Sequence, residues 1–288
     1  MQGTGGRLSE HRFDGRVAIV TGAGRGIGRA YALLLAQLGA SVVVNDVDPE
    51  PAAAVAREIG AHAVVDVHDV ASVGGGAGLV DAALEAFGRV DVVVNNAGIV
   101  KWATMPDVDA DNLAAHIAVH VNGTFNTVHA AWPLMATQGY GRIVNTTSSG
   151  VFGLRGNLGY ATAKGAVIGM TRTLAVEGAA VGIKVNAIAP AAHTRMAGPR
   201  SDLSDFMEPE LVAPMVAYLA HEDCPVTGQI YTAGAGRFAR VFLATTQGAV
   251  TEDVRADWAA INDESGYLTP ANLMEWSGAF LDHLAPGE

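Results

Sequence analysis

Short, unbroken apolar runs alternate along this chain with longer stretches of helical periodicity. Residues 16–21 form a β-branched apolar run that predicts a strand. A glycine-rich turn follows, and then Tyr31, Leu34, Leu35 and Leu38 recur at helical spacing until Gly39 ends the segment. Residues 41–45 are a second apolar run, too short to be amphipathic, which marks a strand buried on both faces. Further runs predict strands over 61–67, 90–98, 141–149, 182–190 and 228–236, with helical segments between them. The alternation predicts an α/β fold: a single-domain, Rossmann-like, doubly wound parallel sheet of about seven strands with helices on both faces.

Prolines and methionines at irregular spacing make 191–210 a loop with a short helix, and 250–285 reads as two more helices, with TPANLMEW a good helix start. No linker-like break and no internal repeat interrupts the chain. The expected organisation is a polar arm over 1–11, a catalytic domain over 12–240, and a C-terminal extension over 241–288 packed on that domain.

Composition narrows the function. The chain of 288 residues is 50% hydrophobic and 16% charged, enough to bury a sizeable core. A formal net charge of -11 argues against nucleic acid as a partner, because phosphate binding needs a basic surface. No apolar run approaches the roughly 20 residues of a membrane helix, so no membrane insertion is expected. The start lacks the apolar core of a signal peptide, and a lone cysteine, Cys224, suits a reducing compartment. These features point to the cytoplasm. No zinc-ligand spacing is present, so no metal is expected.

The turn TGAGRGIG (21–28) follows a strand and opens a helix, the setting in which glycines let a backbone approach a pyrophosphate. Strict G-x-G-x-x-G spacing fails, since Ile27 or Arg29 falls where its last glycine belongs. Asp46 ends the second strand, 18 residues after Gly28. A carboxylate there accepts hydrogen bonds from both adenine-ribose hydroxyls and repels a 2′-phosphate, which favours NAD over NADP. Arg25, in the turn, pulls the other way. Asp48 reads as the cap of the next helix because Pro49 follows it.

Lysine is rare here: Lys101, Lys164 and Lys184 are the three. Lys164 sits four residues after Tyr160 in GYATAK, so the two share a helical face. An ammonium beside a phenol of ordinary pKa about 10 favours the phenolate and lowers that pKa.

These motifs together resemble the short-chain dehydrogenase/reductase family over about residues 12–240. They are T-G-x-x-x-G-x-G at Thr21, Gly22, Gly26 and Gly28, N-N-A-G at Asn95 to Gly98, a serine ending the fifth strand, and Tyr160-x-x-x-Lys164. The resemblance implies an oxidoreductase in which Tyr160 exchanges a proton with the substrate oxygen while Lys164 also holds the nicotinamide ribose. Forward counting from GRIVN puts the catalytic serine at Ser148; backward counting from Tyr160 lands on Thr147. A one-residue deletion reconciles the two in favour of Ser148, leaving Ser149 an ordinary strand-end hydroxyl. The glycine turn, Gly22, Arg25, Gly26, Ile27 and Gly28, is assigned to the cofactor, and the resemblance further assigns Asp66 and Val67 to adenine, and Asn96, Ala97 and Gly98 to the adenosine ribose. Pro190 and His193 stand where the family's chain closes over nicotinamide. A homodimer or homotetramer is implied.

The departures from the family pattern share a direction. His120 stands where the family has a catalytic asparagine, Pro190-Ala191 replaces Pro-Gly, AGAG replaces Asp-Gly-Gly, and the tail is some forty residues longer. Together they resemble the (3R)-hydroxyacyl-CoA dehydrogenase subgroup found in peroxisomal multifunctional enzymes, which also oxidises steroid alcohols and uses NAD. His120 reads either as the holder of a water in a proton relay or as a satisfied helix histidine. Met196, Leu203, Phe206 and Met207 line an apolar site or merely pack the loop; Arg155, Arg195 and Arg200 meet CoA phosphates or are solvated charges.

Overall fold

Each central strand is apolar on both faces and has to be covered twice. The computed structural model describes residues 11–194, 202 and 204–284. Its strands are β1 (Val17–Thr21), β2 (Ser41–Asn45), β3 (Ala63–Asp66), β4 (Val92–Asn95), β5 (Gly141–Thr146), β6 (Ile183–Pro190), β7 (Ile230–Gly234) and β8 (Arg237–Val241). They form one sheet in the order β3-β2-β1-β4-β5-β6-β7-β8, with β1 to β7 pairing in parallel.

Parity along each strand sorts the core. Ala18, Val20, Val42, Val44, Val92 and Val94 enter one apolar cluster; Val17, Ile19, Val43, Val93, Ile143 and Val185 enter the other. Helices α1 (Gly26–Gln37) and α2 (Pro49–Ile59) cover the first face, while α3 (Val73–Phe87) covers the second. Next come α4 (Ala110–His116), α5 (Gly123–Gln138), α6 (Leu158–Gly178) and α7 (Ala213–Ala220). Of these, α5 and α6 add to the second face and α7 to the first. Because β1 lies between β2 and β4, the chain reverses its direction of travel across the sheet there. The carboxyl ends of β1 and β4 therefore diverge into a crevice, the usual ligand position in such sheets.

The predicted strands are all present but shorter at their polar ends: Asn96 to Gly98 leave the sheet after β4, and Thr147 to Ser149 leave it after β5. The eighth strand was not expected. Its sequence, RFARV, has two arginines and no apolar run. A two-residue turn at Ala235 and Gly236, both at positive φ (50° and 72°), folds it back on β7. A second unexpected element is a π-helical segment, Ile117–Asn122, between α4 and α5. Such segments are rare and gather at functional sites. Asp48 occupies the N-cap position of α2 with Pro49 next, yet its side chain caps nothing; it pairs with Arg25 instead.

Two compact units are present, residues 1–240 and 241–288. In the second, α8 (Trp258–Ile261) and α9 (Leu273–Leu281) are the helices. Asn272 accepts from Glu275 N at 3.0 Å and Glu275 accepts from Ala271 N at 2.7 Å, a reciprocal cap at the anticipated start. The loop expected over 191–210 is described only in part, with short 3-10 turns at Ser204–Phe206 and Pro209–Leu211. Met196, Leu203, Arg195, Arg200 and the arm up to residue 10 lie outside the described residues. Among the described residues no helix is long and apolar enough to cross a membrane.

Candidate active site

The glycine turn and the segment after β4 are built as one piece. Thr21 Oγ1 accepts from Asn96 N at 2.9 Å and from Ala97 N at 3.0 Å, while Asn96 Nδ2 donates to Thr21 O and Gly22 O. A Cβ on Gly28 would lie 2.2 Å from Gly22 O, and one on Gly22, at φ +62°, would lie 2.9 Å from Ala97 Cα. Only glycine allows that approach. Arg25 is the N-cap of α1 but gives no side-chain cap, so the first N–H groups of α1 remain available to an anion.

A cavity of about 570 Å³, the size of an ordinary ligand site, opens over this turn. Gly22, Arg25, Gly26, Ile27, Gly28, Asp46, Asn96, Ala97 and Gly98 all line it. Asp46 Oδ2 accepts from Gly24 N and Oδ1 from Asp48 N, both at 3.1 Å, which fixes the carboxylate at the cavity wall. Arg25 Nη2 donates to Asp48 Oδ2 at 2.6 Å. Glycines at the points of closest approach, open helix N–H groups and a fixed carboxylate form a donor and acceptor set that fits a dinucleotide.

Two assignments shift. Asp66 does not face the cavity: its carboxylate is buried and accepts from Asn45 Nδ2 at 2.6 Å, from His68 N at 3.1 Å and from His68 Nδ1 at 2.7 Å. Val67 is exposed and does not line the cavity either. Asp69 and Val70 line it in their place. The Asp-Val pair occurs twice in DVHDV, and the second copy, beyond the strand, is the one that lines the cavity. Thr194 also lines the cavity, whereas Pro190, His193, Tyr160 and Lys164, all assigned to the nicotinamide end, lie outside its lining. Pro190 ends β6 opposite Ala233, and His193 N donates to Met207 O at 2.7 Å.

At the ends of β5 and α6 the polar side chains take distinct roles. Thr147 is buried and its Oγ1 donates to Lys164 O at 2.8 Å, a purely structural bond. Ser148 Oγ is less buried, accepts from Gly150 N at 3.0 Å and is hydrogen-bonded with Tyr160. The geometry thus favours Ser148 over Thr147, as the forward count does; Ser149 is exposed. Lys164 is buried, its Nζ donating to Thr146 O at 2.6 Å and lying 5.6 Å from the Tyr160 ring centroid.

Electrostatics here differ from the expectation that Lys164 lowers the Tyr160 pKa. Burial raises the Tyr160 phenol above its usual range, and the hydrogen bond with Ser148 is what pulls it back. Burial also lowers Lys164 to about 7. Desolvation penalises both charged forms, and it outweighs any attraction between them in the free protein.

His120 lies in the π-helical segment, 2% exposed, with its ring edge-to-face with Tyr160 at 5.2 Å. Nε2 lies 2.8 Å from Ile99 O and 3.3 Å from Ile99 N, and Nδ1 is buried with no partner among the described residues. Burial, and after it the charge of Lys164, pushes its pKa down to about 3. A second buried histidine, His116, stacks on His120 at 5.9 Å and meets Tyr160 edge-on at 6.2 Å. No motif marked it. A histidine one helical turn before His120 was the available signal. Gly98, His120 and Tyr160 thus run in contact from the cavity to a phenol paired with a hydroxyl and a buried amine. Such a group can hand a proton to, or take one from, an oxygen brought beside it.

The model of the short chain dehydrogenase family matches residues 16–203. The chain is 39% identical over 294 residues to peroxisomal multifunctional enzyme type 2 of Mus musculus, covering 95% of this chain and 40% of that protein. The solved full-length peroxisomal multifunctional enzyme type 2 of Drosophila melanogaster is similar with a TM-score of 0.82 and 35% identity, over 95% of this chain and 50% of that one. A gluconate 5-dehydrogenase from Burkholderia cenocepacia, solved with NADP and tartrate, is similar with a TM-score of 0.73 and 30% identity, over 80% of this chain and 98% of that one. The chain spans about half or less of the length of these two multifunctional enzymes.

Proposed function

This chain belongs to the short-chain dehydrogenase family of oxidoreductases acting on CH–OH groups, and on that premise we propose that it interconverts a (3R)-hydroxyacyl-CoA and its ketone with NAD. The observation that carries the reaction is the Tyr160 phenol, hydrogen-bonded with Ser148 and packed beside buried Lys164. Ser148 holds the substrate oxygen by a hydrogen bond. Tyr160 takes the alcohol proton during oxidation and returns it during reduction. Lys164 and the glycine turn hold the dinucleotide, with Asp46 at the adenine ribose. When bound, the nicotinamide supplies the hydride acceptor. His120 holds a water in a proton relay through Nδ1, which is buried beside Tyr160 without a partner among the described residues.

NAD rather than NADP is supported by two carboxylates. Asp46 faces the cavity, and Arg25, the cation able to greet a 2′-phosphate, is already paired to Asp48. The acyl thioester is supported by the sequence resemblance to the (3R)-hydroxyacyl-CoA dehydrogenase subgroup and by the likeness to multifunctional enzymes across nearly the whole chain. The alternative readings are a steroid alcohol and, after it, a small alcohol or sugar, the last favoured by the likeness to a gluconate dehydrogenase. A nucleotide-binding regulator without turnover would not need the Tyr160, Lys164 and Ser148 set. The active form is a homodimer or homotetramer, and the location cytoplasmic.

The test is NADH formation by the purified protein with (3R)- and (3S)-hydroxyacyl-CoAs, steroid alcohols and short secondary alcohols, repeated with NADP. Turnover of the (3R) thioester with NAD supports the reading. Silence on thioesters with activity elsewhere would keep the family and remove the substrate.

A further inference from the structure

The segment joining β4 to α4 is gripped at one residue. Lys101 N donates to His116 Nε2 at 3.2 Å, and Lys101 O accepts from Asn112 Nδ2 at 3.0 Å. His116 Nδ1 donates to Asn112 O at 2.8 Å, so Nε2 keeps the lone pair that Lys101 N–H requires. Asn112 and His116 are one helical turn apart and share a face of α4. Together they hold both polar backbone groups of one loop residue.

The clamp also abuts the helix that carries the phenol. A Cβ on Gly159 would lie 2.7 Å from His116 Nδ1 and 2.6 Å from Asn112 Oδ1, so Gly159 lets the two helices close up next to Tyr160. Immediately after the clamp, Ala103 N donates to Gly156 O at 3.0 Å, and the Trp102 ring lies against Gly156. Trp102 nonetheless stays 56% exposed. Phe152, Leu154 and Leu158, on the segment leading from Ser148 to Tyr160, are exposed as well. Exposed large apolar side chains gathered on the segments that flank a proton-transferring group mark a surface meant to be covered by a ligand.

We propose that Asn112 and His116 are positioning residues that hold Trp102 as the wall on which the apolar part of the alcohol substrate rests. The proposal builds on Tyr160 as the acid/base and adds that chain length is read at Trp102. The substrate it fits is a secondary alcohol with an alkyl or acyl chain, rather than a polyol.

The test uses the full chain, NAD and secondary alcohols from butan-2-ol to octan-2-ol, with amide hydrogen exchange measured at Lys101 to Ala103. In the wild type kcat/KM should climb with length, by up to about fourfold per methylene. Trp102→Ala should flatten the climb, raising KM for octan-2-ol about tenfold more than KM for butan-2-ol. His116→Leu and Asn112→Ala should do the same and speed exchange at Lys101; His116→Gln, which keeps a donor and an acceptor, should restore part of both. A lowered melting temperature with the length dependence intact would show a merely structural role and overturn the proposal. If the wild type oxidised neither these alkanols nor any hydroxyacyl-CoA or steroid alcohol, the acid/base reading would fall separately. The clamp would then stand or fall on exchange at Lys101, where no change in His116→Leu would overturn it.

Discussion

Gly98 and His120 compete for one space, and the histidine has it. A Cβ on Gly98 would lie 2.6 Å from His120 Cε1 and 3.2 Å from Nδ1. One backbone segment therefore lines the cavity on one side and packs on the buried ring on the other. Gly98→Ala should cost about 1–3 kcal/mol of stability and weaken NAD binding. Combining it with His120→Ala should recover part of the stability loss. Urea unfolding of the four-member cycle measures the coupling; strictly additive losses would contradict the shared space.

The same ring predicts a pH dependence. His120 is pushed from 6.5 to about 3, mainly by burial. The unfolded chain then binds the proton more readily than the folded one, so stability rises with pH between those values. The contribution is complete above about 6.5 and is lost as pH falls toward 3; at most it is on the order of 5 kcal/mol. His120→Gln should flatten the wild-type fall in unfolding free energy across that window. Parallel curves for the two proteins would contradict it.

Cofactor choice should follow the two carboxylates. Asp46→Ala should weaken the preference for NAD, and Asp46→Ala with Asp48→Ala should weaken it further by freeing Arg25. The expected change in the ratio of kcat/KM for NAD and NADP is about tenfold or more, since each step removes or exposes a charge at the ribose. An unchanged ratio would show that neither carboxylate faces the 2′ position.

Ser148 and Thr147 can be separated by rate and stability. Ser148→Ala should lower kcat by about 10²–10³ at near-normal stability, as expected for loss of one oriented donor. Thr147→Val should instead lower stability by about 1–3 kcal/mol, because it leaves the buried Lys164 carbonyl without its hydroxyl. The reverse pattern would move the catalytic hydroxyl to Thr147.

Much of this was legible in the sequence where chemistry demands a residue type. Strands buried on both faces read as unbroken apolar runs, and close backbone approach at Gly22 and Gly28 admits no other residue. What was hidden depends on three-dimensional placement. Two Asp-Val pairs stand one strand end apart, and which of them faces the cavity depends on where β3 stops. β8 is held by a turn rather than by apolar residues. His116 belongs to no motif, and its role appears only when α4, Lys101 and Gly159 are seen together. Burial, which raises Tyr160 and lowers Lys164, leaves no trace in their spacing.

Tyr160→Phe tests the central claim most directly. It removes one oxygen, the one hydrogen-bonded with Ser148, and leaves the cavity lining untouched. NADH formation at saturating alcohol should fall by about 10²–10⁴, while the Kd for NAD by calorimetry stays within about twofold of wild type. Retained turnover in that variant would contradict proton transfer by Tyr160 and with it the proposed mechanism.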